Sequence, residues 1–374
     1  MKSKRHTIML TGGGTGGHLY PALSLAKHVQ DRFEVVYVGH PDKIEGRVVP
    51  GEGIAFHPLV AVPFTSRPTR LPGFLWHFFR SLLRAYGLLR RLRPALVVGF
   101  GGYVSLPVGL VARVLGIPVA IHEQNVHGGL ANRLLIRVGA LALTTFPGTR
   151  LPTPRQPPIV TGCPVRREIG SLDRMASRRD LGLPVDRTIC LVMGGSGGAR
   201  FLNETLLEVL SLAAHRKDWF FLHVTGQGYL EETRAMVARR FPDGDLQERY
   251  RMEGYITEIA RYYAAADLAI CRGGSATVNE LSCAGLPAIL IPSPNVTDNH
   301  QEGNARHLEA VGAAEVMLER EVTPQHLYDR LTALLDHPEK RAVMADNGRK
   351  HALGHKALGM IETALRQHCP VLND

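Results

Sequence analysis

Residues 11–18 read TGGGTGGH, and Gly12, Gly14 and Gly17 fall on the G-x-G-x-x-G spacing of a phosphate-binding loop that closes on a histidine. Glycine at the end of a strand lets the backbone approach phosphate oxygens, and the following helix offers its free N–H groups to the anion. A second loop of the same type, GGSGGAR, starts at Gly194, and shorter ones lie at 99–102 and 272–274. One such loop is as readily a packing turn. Four at strand ends, two in each half, point to a ligand. A nicotinamide or flavin dinucleotide fits the first spacing, but that fingerprint needs an acid at the end of the second strand for the ribose. Here that strand ends in Gly39-His40-Pro41, with Asp42 as the first acid, and the second loop lacks a suitable acid too. No glycine loop is followed by Lys-Ser/Thr, which excludes a P-loop.

These loops need strands before them and helices after them. TIML, EVVYVG, PALVVGFGG and IPVAIHEQN read as short buried strands, with helices near 19–29, 74–93, 104–115 and 128–138. The second half repeats the pattern with TICLVM, WFFLHVTG, DLAICRGG and LPAILIP, and helices near 200–214, 229–240, 275–284 and 300–311. Short apolar strands alternating with helices predict an α/β chain of two Rossmann-like domains with parallel sheets, a ligand lying in the cleft between them. The proline-rich stretch 151–168 places the boundary near Gly162, giving domains 1–162 and 163–353. A last helix at about 354–374 could pack on either domain and is placed with the first.

The 374 residues are 45% hydrophobic, enough for two ordinary cores. Cys163, Cys190, Cys271, Cys283 and Cys369 form no C-x-x-C pair, and read as reduced thiols of a cytosolic protein. The apolar run after MKSKRH is too short for an export signal, and the stretch 95–121 is broken by Gly99, Gly101, Pro107, Arg113 and Pro118, so neither reads as a membrane span. The net charge is +10, and residues 53–122 hold no Asp or Glu but carry Arg67, Arg70, Arg80, Arg84, Arg90, Arg91, Arg93 and Arg113. Such a region favours nucleic acid or an anionic membrane surface.

Longer motifs narrow the reading. GGTGGHLYPALSLA, GFGGYVSLP, IHEQNVHGGLANRLL, GCPVR, GGSGGARFLN, CRGGSATVNELSCAGLPAILIP and DNHQEGNARHLEAVGAA follow one another through nearly the whole chain. In this order they resemble the MurG family of bacterial glycosyltransferases, which add N-acetylglucosamine (GlcNAc) to lipid I to make lipid II. The resemblance implies a GT-B fold and a role in peptidoglycan synthesis, and through it in cell shape and division. It also implies an inverting transfer of GlcNAc from UDP-GlcNAc to the C4 hydroxyl of the lipid-linked N-acetylmuramic acid (MurNAc). No metal or cofactor is expected.

By family position Glu280 would accept the ribose hydroxyls, while Gly195, Ser196 and Gly197 would hold the diphosphate. Arg166 would counter the charge of the leaving UDP, and Ala276, Thr277 and Val278 would begin a phosphate-binding helix. Ile256 would pair with uracil through its backbone. Asn125 and Gln301 would contact the GlcNAc. Thr15, Gly16 and Gly17, also counted with the donor contacts, would cradle the lipid's diphosphate. His18 is the candidate base, since imidazole exchanges protons near neutral pH, and Glu123 is the weaker alternative. His300 stands where some relatives carry a second glutamine.

Asp243 and Asp245 mimic a metal-binding D-x-D but sit in a polar loop, where chance is the better account. On a helical wheel of 74–93, Arg80, Arg84 and Arg91 share one face, with Leu75, Phe78, Leu82 and Leu89 opposite and Trp76, Phe79 and Leu83 on the flanks. This predicts peripheral attachment to an anionic membrane at its cytoplasmic face, against the plainer reading of a core-facing helix with a solvated side. Nucleic acid is disfavoured because no binding motif surrounds the helix. Partners would be UDP-GlcNAc, lipid I and possible cell-wall or division proteins. The competing readings are another lipid-directed UDP-sugar transferase, a UDP-GlcNAc epimerase, or a non-catalytic UDP-sugar sensor.

Overall fold

Runs rich in Val, Ile and Leu that are too short for a buried helix become strands, and a glycine or proline soon after most of them releases the chain toward the next element. The computed structural model describes residues 5–64, 69, 71–242, 244, 246 and 248–373. The chain divides into two compact units, Met1–Pro164 with Lys356–Asp374, and Val165–His355.

The first unit runs β1 (Thr7–Thr11), α1 (Gly16–Val29), β2 (Glu34–Gly39), α2 (Ile44–Gly51), β3 (Ala55–Pro58) and α3 (Leu71–Leu92). It continues with β4 (Leu96–Gly99), α4 (Ser105–Val114), β5 (Val119–Glu123), α5 (Leu130–Arg137), β6 (Leu141–Thr144) and β7 (Ile159–Val160). The sheet order is β3-β2-β1-β4-β5-β6-β7, parallel throughout. The chain builds outward from β1 to β3, then crosses back to lay β4 on the other side of β1. The sheet therefore reverses its order between β1 and β4, and the loops at 12–17 and 99–102 leave from that point.

The second unit holds α6 (Arg174–Asp180), β8 (Thr188–Met193), α7 (Arg200–Leu212), β9 (Trp219–Val224), α8 (Leu230–Arg240), β10 (Tyr250–Glu253) and α9 (Ile259–Ala265). Then come β11 (Leu268–Cys271), α10 (Ser275–Ala284), β12 (Ala288–Leu290), α11 (His300–Ala310), β13 (Ala314–Val316), α12 (Pro324–Leu335) and α13 (Pro338–His351). The order β10-β9-β8-β11-β12-β13 reverses between β8 and β11, where the other two glycine loops leave. Strand order reversal opens the crevice in which α/β sheets bind ligands. All four loops thus lie at such points.

The helices expected from periodicity form within a few residues of their expected bounds. The short α2, α6 and α9, the C-terminal pair α12 and α13, and the strands β3, β6, β7, β10 and β13 carried no separate expectation. The five cysteines are buried free thiols.

The final helix, α14 (Ala357–His368), belongs to the first unit. Its Ile361, Ala364 and Leu365 join the core that α1 and one face of the sheet build from Leu19, Leu23, Leu25, Ile8 and Leu10. Glu362 fastens the same contact, taking Arg32, in the turn after α1, at 2.7 Å and Arg366 at 2.9 Å. Ile361 is fully buried. Ile361→Ala should cost about 2–5 kcal/mol, read by urea denaturation.

Candidate active site

In the first unit, β1 delivers the chain into Gly12 and the loop turns into α1 at Gly16. Thr15 sits extended at the N-cap, but its side chain makes no capping bond. Among the described residues, no acceptor takes the N–H of Thr15, Gly16 or Gly17. Three adjacent backbone donors with a helix dipole behind them are an anion site. The neighbouring loop locks this one in place. A Cβ on Gly102 would stand 2.5 Å from the Gly13 carbonyl oxygen, and one on Gly12 would meet Phe100 at 3.1 Å. Packing is thus one reason for these glycines, and bare N–H groups able to receive an anion are another.

His18 lies half-buried on the first turn of α1. Its Nδ1 is 3.1 Å from the Gly13 carbonyl oxygen and 3.2 Å from Thr15 Oγ1. A carbonyl only accepts, so Nδ1 carries the proton in this contact and Nε2 holds the lone pair of the neutral ring. Gly101 gives the ring room, since a Cβ there would lie 3.2 Å from Nε2.

Glu123 does different work. One of its oxygens accepts from the N–H and the side chain of Asn125, at 3.0 and 3.3 Å. The other accepts from the N–H of Gly129 at 2.9 Å and the side chain of Asn132 at 2.8 Å. A buried carboxylate with both oxygens taken by four donors braces the 124–129 loop and is committed to that role. This corrects Glu123 as the alternative base. Asn125, expected on the sugar, spends part of its amide on the same brace. His122 beside it donates Nε2–H to Gly162 at 2.9 Å, and burial pushes its pKa down to about 4 against that bond, so it is a neutral core group.

In the second unit, the loop after β8 crosses the loop after β9. A Cβ on Gly198 would strike the Thr225 carbonyl at 2.2 Å, whereas Gly195 and Gly197 face open space and Ser196 is exposed. The crossing is held by Asn203, whose side chain donates to the Thr225 carbonyl at 3.1 Å and pairs with buried His223 at 2.9 Å. After β11, α10 starts at Ser275 behind Gly274, again without a side-chain cap. Ala276 and Thr277 present their N–H groups there, while Val278 is buried and its N–H is spent on Gly274. It contributes packing rather than a donor.

One turn on, Glu280 accepts the Tyr263 hydroxyl at 3.0 Å on Oε2. Burial raises its pKa, opposed by the Tyr263 hydrogen bond and by the charge of Arg166. Arg166 is exposed and donates to the Thr257 carbonyl at 3.4 Å, which draws the Ile256 segment and Glu280 into one neighbourhood. Gln301 is oriented by Ser293, whose N–H donates to its Oε1 at 2.9 Å, leaving its amide nitrogen as the donor. The turn before it holds Asp298 and Asn299 at φ 54° and 47°. Consecutive left-handed non-glycine residues store strain of a kind that gathers at binding loops. His300 fixes its ring on the Thr297 carbonyl at 2.7 Å.

Sequence reasoning missed Glu45, Tyr263, Asn132 and Asn203. Asn132 and Asn203 lie inside the long motifs, but nothing local marks what they hold, while Glu45 and Tyr263 act on residues distant in sequence. Asp243 and Asp245, like Arg67 and Arg70, lie outside the described residues. Among the described residues, no three His, Cys, Asp or Glu cluster as metal ligands.

Helix α3 buries only Ser81, Ala85 and Leu89. The small Ser81 and Ala85 bring its C-terminal half close to α4, with Phe78 and Leu82 half-covered. Leu75, Trp76, Phe79 and Leu83 are 53–61% exposed, forming an apolar stripe beside the exposed Arg80, Arg84 and Arg91. Leu75, expected on the core side, is therefore solvent-facing. Among the described residues no helix is long and apolar enough to cross a membrane.

Residues 8–142 match the glycosyltransferase family 28 N-terminal domain and residues 189–358 its C-terminal domain. A UDP-N-acetylglucosamine–N-acetylmuramyl-(pentapeptide) pyrophosphoryl-undecaprenol N-acetylglucosamine transferase of Desulforudis audaxviator is 39% identical over 343 residues, covering 90% of this chain and 92% of that one. The chain belongs to the MurG family of glycosyltransferases. The crystal structure of Acinetobacter baumannii MurG superposes with a TM-score of 0.77 at 30% identity, covering 96% of this chain and 99% of that one. A Listeria monocytogenes protein named as a putative UDP-N-acetylglucosamine 2-epimerase reaches 0.69 at 13% identity, covering 97% and 96%. That likeness is one of fold alone, since one fold hosts many chemistries. Membership in the MurG family, with its two parallel-sheet domains, fixes the GT-B fold and separates this chain from the epimerase.

Glu280 separates binding from stability. A raised pKa means the folded chain holds this proton more tightly than the unfolded chain does. Its contribution to stability therefore falls as pH rises through that window, and the charged form is a cost at pH 7. Glu280→Gln should be at least as stable at pH 7 as the parent, checked by urea denaturation.

Proposed function

We propose that the chain transfers GlcNAc from UDP-GlcNAc to the C4 hydroxyl of MurNAc in undecaprenyl-diphosphate-linked lipid I, with inversion, giving lipid II and UDP. The observation that carries this is the 39% identity over nine-tenths of both chains to a transferase named for that reaction, with a phosphate-binding loop at each reversal of strand order.

In this reading His18 Nε2 removes the proton of the C4 hydroxyl as its oxygen bonds to the anomeric carbon. The bond from that carbon to the UDP oxygen breaks, and the electron pair leaves with UDP. Gly195, Ser196 and Gly197, the N–H groups of Ala276 and Thr277, and Arg166 meet the charge that develops on the diphosphate. Such donors can do the work for which other transferases recruit a metal, so no metal or cofactor is required. Glu280 accepts the ribose hydroxyls, the Ile256 backbone pairs with uracil, and Gln301 and Asn125 contact the sugar. Thr15, Gly16 and Gly17 hold the acceptor's diphosphate.

The acceptor is a membrane lipid, and the stripe of Leu75, Trp76, Phe79 and Leu83 flanked by Arg80, Arg84 and Arg91 suits peripheral attachment to an anionic surface at the cytoplasmic face of the membrane. Cell-wall or division proteins are fitting partners there; nucleic acid is not.

A transfer assay with UDP-GlcNAc and a short-chain lipid I analogue should give acceptor-dependent UDP release, with UDP-GalNAc a poor donor. UDP release without the acceptor, or none with it, would reject the reading. His18→Ala should lower kcat about a hundredfold or more with donor KM little changed; an unchanged kcat removes His18 as base. Glu280→Gln should bind UDP about tenfold more weakly. In flotation with anionic vesicles, Arg80→Ala/Arg84→Ala should weaken binding by about tenfold or more, as should added salt. Equal binding to neutral vesicles would count against the charged stripe.

A further inference from the structure

Glu45, at the start of α2, has a fully buried carboxylate. Among the described residues no Lys, Arg or His pairs with it. Its partners are backbone: the Gly14 N–H lies 3.1 Å from Oε2 and 3.3 Å from Oε1, and the His40 N–H lies 3.2 Å from Oε1. The Gly14 N–H shares a peptide unit with the Gly13 carbonyl, which accepts from His18 Nδ1 at 3.1 Å. In a trans peptide the N–H and C=O point in opposite directions, and the chain has no cis bond. One amide plane therefore has a buried acid at its N–H end and the imidazole at its carbonyl end.

The surroundings fit this arrangement closely. Gly13 and Gly14 have φ of 146° and 83°, and a Cβ on Gly13 would lie 2.1 Å from Glu45 Oε1. A side chain is therefore barred where the carboxylate reaches the loop. From the same side, the Tyr37 hydroxyl donates to the Gly12 carbonyl at 3.1 Å. A hydrogen bond at each end of an amide polarises it, so that each strengthens the other.

We infer that Glu45 is a positioning residue that acts on His18 through the Gly13–Gly14 peptide. It turns the Gly13 carbonyl toward Nδ1 and raises its strength as an acceptor, which holds the neutral ring in the Nδ1–H tautomer with the lone pair on Nε2. A carboxylate bonded directly to an imidazole would serve the same purpose; here one peptide stands between them. The catalytic consequence rests on His18 being the base.

The test is made on the full-length protein with 15N-labelled histidine, at a pH about two units above the ordinary histidine range. His18→Ala assigns the His18 signals. The parent should show the Nδ1 of His18 protonated and Nε2 bare. Glu45→Gln should shift the His18 ring toward the Nε2–H form and lower kcat about tenfold to a hundredfold, with the KM for UDP-GlcNAc within about twofold. Glu45→Asp, which keeps the charge but stands one methylene back, should fall between. A parent ring protonated at Nε2 overturns the inference, even if no Glu45 variant folds. So does a folded Glu45→Gln protein with unchanged His18 nitrogen shifts. If His18→Ala keeps its kcat, it is the base assignment that fails, and the nitrogen shifts still decide whether Glu45 governs the ring.

Discussion

Backbone N–H groups at the start of a helix have no partner within it, and each must find an acceptor or remain available to a ligand. In this chain the helices α1 and α10 both begin at a reversal of strand order without a side-chain cap. Their first donors are thus open at the places where a parallel sheet leaves room for a ligand. The glycine content of the adjoining loops follows from this. Gly195 and Gly197 leave the backbone bare, whereas Gly102 and Gly198 allow one loop to cross another at distances no side chain would permit.

Four acids of the two units show how surroundings assign different work to one functional group. Glu45 and Glu123 spend their oxygens on backbone and amide donors, and hold loops still. Asp267 takes Arg178 at 2.6 Å and the Ile189 N–H at 2.7 Å, tying α6 to the sheet ahead of β11. Glu280 has a tyrosine hydroxyl on one oxygen and a guanidinium nearby, and burial holds its pKa above the usual value. It is the acid left with hydrogen-bonding capacity to offer a ligand. A carboxylate in a motif is therefore identified by what its oxygens already accept.

The same logic separates the faces of α3 and the two ends of the chain. A helical wheel ranks residues by direction, but it carries no information about how far along the helix the rest of the fold reaches. Small Ser81 and Ala85 let α4 approach the C-terminal half, and the N-terminal turns stay bare, which exposes Leu75 together with Trp76 and Phe79. In α14, the apolar face of Ile361, Ala364 and Leu365 could serve either unit by its pattern alone. The space beside α1, closed by the Arg32–Glu362 pair, decided which.

The sequence by itself determined the α/β class, the doubled arrangement of strand, glycine loop and helix, and the long motifs that mark the family. These are local properties: strand length, helical periodicity and a glycine's freedom all act within a few residues. Ser196, Ala276, Thr277, Glu280 and Gln301 were expected at the donor because they sit in those motifs. The residues that orient them were not. Gly14 meets Glu45 across 31 positions, Glu280 meets Tyr263 across 17, and Thr225 meets Asn203 across 22. Which acid reaches which N–H depends on strand order and helix packing. Only the tertiary structure decides that, because a hydrogen bond needs its partners within about 3 Å, and no local pattern brings such distant residues so close.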